Sequence, residues 1–200
     1  DETWETYLQD GILTAVDKVL VETGASDTNV VGYCIGATLL GTGLAWMAKK
    51  GDTRIRSATF FTGQFDFSDA GELQAFVDEE VLDTVSQAAE DHGYPAAENM
   101  FGAFNSLRSN DLIWSFVVNN YLMGKDNFPF DLLYWNSDST RMPAVMHSFY
   151  MRKMYQENKL IEPGALTPPE KPIDLTTLKT PRLLLSTKET QCESRKATYR

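Results

Sequence analysis

The sequence predicts an α/β fold in which a parallel sheet is interrupted by a long helical insertion. Three observations carry this reading. Two short apolar runs, NVVGY and IRSATFF, flank a segment of small and apolar residues with helical spacing, which is a βαβ pattern. From Gly71 to about Pro169 the chain shows helical periodicity and no clear strand. TPRLLLST then reads as a further strand.

In chain order, WETYLQDGILTAVDKVL has apolar residues at Trp4, Tyr7, Leu8, Ile12, Val16, Val19 and Leu20, the stripe of an amphipathic helix. TGASDTN is a loop, and NVVGY is a short buried strand. IGATLLGTGLAWMAKKG is a helix whose last turn holds Lys49 and Lys50 before Gly51. Both features suit a helix C-terminus. IRSATFF is the next strand. AGELQAFVDEEVLDTVSQAAEDHG, NDLIWSFVVNNYLMG and PAVMHSFYMRKMYQENKL are helical, the last two rich in aromatics and methionine. EPGALTPPEKPIDLTTL returns to the sheet through proline-rich linkage. The expected division is a core portion over 1–70, a helical cap insertion over 71–169 and a return to the core over 170–200.

Composition sets outer limits. Of 200 residues 42% are hydrophobic and 12% aromatic, enough for a core. The net charge of -10 repels phosphate backbones, so nucleic acid is not an expected partner. Two cysteines, Cys34 and Cys192, make no disulfide framework, and no Cys/His spacing suits a metal. This usage fits a reducing compartment. No signal peptide or transmembrane run is visible. The chain opens DETWETY without a methionine and stops at TYR as a helix begins, so a piece of a longer protein is expected.

The most informative stretch is Gly32-Tyr33-Cys34-Ile35-Gly36, a nucleophile-elbow pattern with cysteine at its centre. Such a turn holds its central residue in strained φ/ψ space, and side chains two positions away on either side are expected to collide. Cys34 would project above the sheet edge at a helix N-terminus, where peptide dipoles favour a thiolate. The backbone N–H of Ile35 would face a developing oxyanion. Chance gives a G-x-C-x-G about once in a hundred chains with so few cysteines. A buried structural cysteine at a tight turn is the competing reading. If Cys34 is a nucleophile, thiolate chemistry suits acyl transfer from thioesters more than simple ester hydrolysis.

GYCIGATLLGTGLAWMAKKGD, SATFFTGQFDFSDAGELQAFVDEE, PFDLLYWNSDSTRMP and HSFYMRKMYQENKL resemble the polyhydroxyalkanoate synthases, most closely the class I enzymes. The similarity runs from Trp4 to about Glu189 and resumes at KATYR. The resemblance implies an α/β-hydrolase fold with a helical cap. It implies a cysteine that takes the acyl group from a 3-hydroxyacyl-coenzyme A, a histidine base, and an aspartate that helps activate the 3-hydroxyl. The polyester product would collect in cytoplasmic granules, and the active form would be a homodimer. No cofactor is implied beyond coenzyme A as part of the substrate. The family's cysteine falls on Cys34. Its aspartate and the following histidine fall on Thr190 and Gln191, within the divergent run TQCESR. Its catalytic histidine lies in a Gly-His context not found in these residues. The 200 residues alone are therefore expected to be inactive. A non-catalytic granule partner and a cysteine-nucleophile thioester hydrolase are the alternative functions.

Other candidates have structural explanations beside functional ones. His147, among apolar and aromatic neighbours, is expected to be packed rather than catalytic, and His92 to lie solvated in a loop. Asp66 follows the IRSATFF strand, where it is either a triad acid or a loop-capping residue. Cys192 is expected to be a bystander. Trp114, Phe116, Tyr121, Tyr134, Trp135, Phe149, Tyr150, Met151 and Met154 are cap core in one reading, and line an acyl path or dimer face in the other. The acidic run EVLDTVSQAAED reads as a solvated helix face.

Overall fold

The computed structural model describes residues 2–94, 102, 105–107, 109–126, 131–138, 140–166, 172–187 and 195–199. Strands β1 (Thr28–Tyr33), β2 (Ile55–Phe61) and β3 (Arg182–Leu185) form one parallel sheet in the order β1-β2-β3. Helix α1 begins at Trp4–Thr6, is π-wound over Tyr7–Leu13 and ends at Thr14–Thr23. Helix α2 (Ile35–Lys50) connects β1 to β2. The fold class is α/β, with a strand–turn–helix unit at its centre.

Small residues let α2 approach its neighbours closely. A Cβ on Gly41 would lie 2.5 Å from the Phe65 ring, and one on Gly43 would lie 2.9 Å from Leu8 Cδ1. Trp4 is buried and its indole N–H donates to Thr42 Oγ1 at 3.2 Å, fixing α1 on α2. Arg54, just before β2, bonds both Asp52 and Asp17, which ties the C-terminal half of α1 to the sheet. The lysines and glycine expected at the end of α2 are there. Gly51 has φ 71°, and Lys50 sits over the Trp46 ring.

Between β2 and β3 the described residues hold helices and no strand. After a 3-10 turn at Gly71–Phe76 come α3 (Glu79–His92), capped by Asp78, and α4, π-wound over Asn110–Trp114 and Val117–Leu122. Next are α5 (Asp131–Ser137) and α6, which is α-helical over Ala144–Phe149 and π-wound over Tyr150–Gln156. Helix α7 (Arg195–Tyr199) follows β3. The sequence expectation placed His92 in a loop; it is the last residue of α3, because the helix runs on until Gly93 turns left-handed at φ 78°.

The insertion divides into covered and bare parts. Tyr150 and Met154 on α6 are buried, with Phe149 and Met151 packed partly against the core. On α4 and α5 the cap-core reading fails: Trp114, Phe116, Tyr121, Tyr134 and Trp135 are all exposed, Tyr121 at 84%. Nothing among the described residues covers that side.

Helix α6 is fixed to the core at its far end. Asn158, at φ 49°, donates its side-chain amide to Asp66 Oδ1 at 2.8 Å and accepts the Phe67 N–H at 2.8 Å. Asp66 is 1% exposed, so its carboxylate depends on such donors. Asn158→Ala should lower unfolding free energy by about 2 kcal/mol, the typical contribution of a hydrogen bond to a charged group. Urea denaturation followed by circular dichroism measures this, and an unchanged midpoint would show that the clamp contributes nothing.

Among the described residues the sheet is covered on one face only. Val31, Tyr33, Leu183 and Leu185 are exposed on the other, in register with Thr59 and Phe61. Parallel sheets normally bury both faces. The chain alone is therefore expected to self-associate, and a concentration-independent monomer in analytical ultracentrifugation would contradict this.

Candidate functional site

Cys34 occupies the corner between β1 and α2. Its φ of 53° and ψ of -126° lie far from the regions where a residue with a side chain is relaxed. Its N–H donates to Phe61 O at 3.0 Å, carrying the β1–β2 ladder one residue further. Its carbonyl accepts the N–H groups of Ala37 at 2.9 Å and Thr38 at 3.3 Å. The first N–H groups of a helix have no intrahelical partner. At α2 these include Ile35 and Gly36, which make no hydrogen bond among the described residues. Cys34 is exposed and is not in a disulfide. It is therefore not buried among apolar side chains.

The two flanking glycines have different reasons. A Cβ on Gly32 would sit 2.7 Å from Ala37 Cα and 3.0 Å from Gly36 O, both backbone atoms. A Cβ on Gly36 would meet nothing within 4 Å. The expectation that both positions exclude a side chain is thus corrected. The returning helix backbone crosses over Gly32, whereas the Cβ direction at Gly36 points into open space.

Helix α6 packs its aromatic side chains against α1. Tyr150 stacks on Trp4 with ring centroids 5.7 Å apart and meets Tyr155 edge-on at 5.5 Å. Burial, then the neighbouring Tyr155 and Cys34, hold its ionisation well above the ordinary tyrosine range. Thr38 is fully buried and donates its hydroxyl to Gln64 O at 2.8 Å.

Asp66 Oδ1 accepts from Ser68 N–H at 2.9 Å and from Asn158, which is the loop-capping arrangement. His147 is buried on α6, and burial depresses its pKa. A histidine neutral when folded opposes protonation. Its stabilising effect is full above the unfolded pKa of about 6.5 and declines as pH falls through that value toward the depressed folded one. Stability should therefore drop between pH 7.5 and 5.5, and the drop should shrink in His147→Gln. Equal losses in both proteins would rule His147 out as the cause. Thr190, Gln191 and Cys192 lie outside the described residues. Among the described residues no group of three His, Cys, Asp or Glu side chains could hold a metal ion. No helix among them is long and apolar enough to cross a membrane.

No family model matches the chain. Among solved structures, an epoxide hydrolase from Bacillus megaterium aligns over 98% of this chain and 64% of its own, at 20% identity with a TM-score of 0.49. An extracellular α/β-hydrolase from Paenibacillus aligns over 97% of this chain and 62% of its own, at 17% identity with a TM-score of 0.37. Sequence relatives are much nearer. The poly(3-hydroxyalkanoate) polymerase of Methylorubrum extorquens is 48% identical over 94% of this chain and 31% of that protein. The polymerase subunit PhaC of Rhizobium meliloti is 46% identical over 98% of this chain and 32% of that protein. The PhaC subunit of Cupriavidus necator is 36% identical over 94% and 33% respectively. The chain thus spans about a third of the length of these relatives. Across that span it belongs to the poly(3-hydroxyalkanoate) polymerase family.

Proposed function

We propose that this chain carries the nucleophilic centre of a class I-like acyltransferase that polymerises 3-hydroxyacyl-coenzyme A thioesters. The observation that carries the reading is an exposed cysteine held at strained φ/ψ on a helix N-terminus, in a chain of this family. The Cys34 thiolate attacks the thioester carbonyl, a tetrahedral oxyanion forms, and coenzyme A leaves as its thiolate and takes up a proton. The Ile35 N–H donates to the oxyanion. The hydroxyl of a chain end or of the next unit then loses its proton and attacks the acyl-cysteine, the C–S bond breaks to release the Cys34 thiolate, and the polyester is one unit longer. The partners are the coenzyme A substrate and the growing polymer at a cytoplasmic granule surface, with a homodimer as the working form. The core and insertion over 1–70, 71–169 and 170–200 supply the elbow, the helical cap and the return to the sheet.

The test uses the longest protein encoded by the gene that holds this chain. After exposure to 3-hydroxybutyryl-coenzyme A, peptide mass spectrometry should find one hydroxybutyryl group on the Cys34 peptide. Label on Cys192, or on neither cysteine, would overturn the assignment. Product analysis separates a synthase, which yields polymer, from a thioester hydrolase, which yields free acid. On this reading the 200 residues by themselves should make no polymer, since Thr190 and Gln191 stand where the resemblance puts the family's Asp-His pair. Restoring Thr190→Asp in the longer protein without gain of activity would favour the non-catalytic reading.

A further inference from the structure

The chain leaving β2 makes a second sharp turn beside the elbow. Tyr33 and Phe61 are in register, so Thr62 is the neighbour of Cys34 on the adjacent strand. Like Cys34 it has a positive φ, 47°, which is rare for a β-branched residue. One peptide group joins the two corners. Its oxygen, Phe61 O, accepts the Cys34 N–H at 3.0 Å, and its N–H, on Thr62, donates to Leu185 O at 2.7 Å. The turn at Thr62 then brings the chain onto the start of α2. A Cβ on Gly63 would lie 2.5 Å from Ala37 Cβ. One residue on, Gln64 O accepts the Thr38 hydroxyl at 2.8 Å. The Thr38 N–H in turn donates to Cys34 O at 3.3 Å.

These bonds close a circuit. It runs from Cys34 N–H to Phe61 O, along the main chain to Gln64 O, across to Thr38 Oγ1, and from Thr38 N–H back to Cys34 O. Ile35 and Gly36, the first residues of α2, lie between its two ends. The far side of the β2 turn is anchored separately, because the Phe65 and Asp66 N–H groups both donate to Ala197 O at 3.0 Å. Within the circuit the Thr38 hydroxyl is the side-chain link, and Thr38 is fully buried.

We propose that Thr38 is a positioning residue for acyl transfer: its hydroxyl clips the first turn of α2 to the anchored β2 turn and so holds the Cys34–Gly36 main chain, with the Ile35 amide set for the oxyanion. Such a donor helps only if its direction is fixed before the charge develops. The inference rests on Cys34 being the nucleophile. A hydroxyl that only stabilised the fold would lower the unfolding midpoint and leave the chemistry of the folded protein unchanged.

The experiment uses the same long protein and measures single-turnover transfer from 3-hydroxybutyryl-coenzyme A to Cys34 across substrate concentration. Alongside it runs iodoacetamide alkylation of the same thiol, a displacement that forms no oxyanion. Thr38→Val keeps the shape and loses the clip. Its maximal acylation rate should fall about tenfold, with the half-saturating concentration and the alkylation rate unchanged. Thr38→Ser keeps the hydroxyl and should restore the rate. A wild-type maximal rate in Thr38→Val, a loss that serine does not restore, or alkylation falling in step with acylation overturns the proposal. Should Thr38→Val fail to fold, Gly63→Ala decides. Its methyl pushes the β2 turn off Ala37, so acylation should slow, and adding Ala37→Gly should restore it; no slowing, or no restoration, overturns the proposal. An unlabelled Cys34 in the wild-type protein would sink the nucleophile reading and the proposal with it, whereas a labelled wild type with an unaffected Thr38→Val sinks the positioning role alone.

Discussion

Cys34→Gly should yield a protein that accepts no acyl group and unfolds later than wild type. The two effects have one cause. At φ 53° and ψ -126° any residue with a Cβ is strained, and glycine is not. Residues held in such regions cost about 1–3 kcal/mol. Glycine's greater freedom when unfolded offsets up to about 1 kcal/mol of the relief. The net gain is about 1 kcal/mol, read as a higher urea midpoint, while incorporation of radiolabelled 3-hydroxybutyryl-coenzyme A falls to background. Cys34→Ala separates the causes: it also loses acylation, but it keeps the Cβ and so gains no stability. Equal midpoints for the glycine and alanine variants would show that the corner is not strained.

Gly32→Ala should be among the most damaging single changes in the chain. Its new methyl would meet backbone atoms 2.7 Å and 3.0 Å away, and backbone cannot rotate aside as a side chain can. Overpacking a tight site costs about 1–3 kcal/mol, and more when only backbone can yield. β1 or the start of α2 must shift, and the Cys34 corner moves with them. Expression in inclusion bodies, or a loss of about 3 kcal/mol with no acylation, is the expected result. Gly36→Ala is the matched control. Its methyl meets no atom within 4 Å, and alanine favours a helix over glycine by about 1 kcal/mol. It should be neutral or stabilising and should still acylate. Similar losses in the two variants would refute the account of the turn.

That contrast marks where sequence reasoning stops. The spacing of Gly32, Cys34 and Gly36 located the turn, because a strand pattern before it and a helix pattern after it leave little else for the residues between them to do. The β2 boundaries and the end of α2 followed from periodicity, lysines and a glycine. The asymmetry between the two glycines did not, since it depends on which backbone crosses over which Cα. Nor did periodicity reveal the π-wound turns of α1, α4 and α6, whose apolar stripes still read as helix. Tyr150 was one of nine aromatic and methionine positions with two open readings. Only the fold shows that it is buried against Trp4, Phe67 and Tyr155 while Tyr121 and Tyr134 are exposed to solvent. Asp66 likewise became a clamp residue once Asn158 was seen to reach it across the chain.

The bare side of the sheet has a consequence at the bench. Whatever comes to shield Val31, Tyr33, Leu183 and Leu185 contributes to holding the native state together, by mass action. A melting temperature measured on these 200 residues is therefore a property of the sample and its dilution as much as of the polypeptide. Comparisons between variants belong at one matched protein concentration.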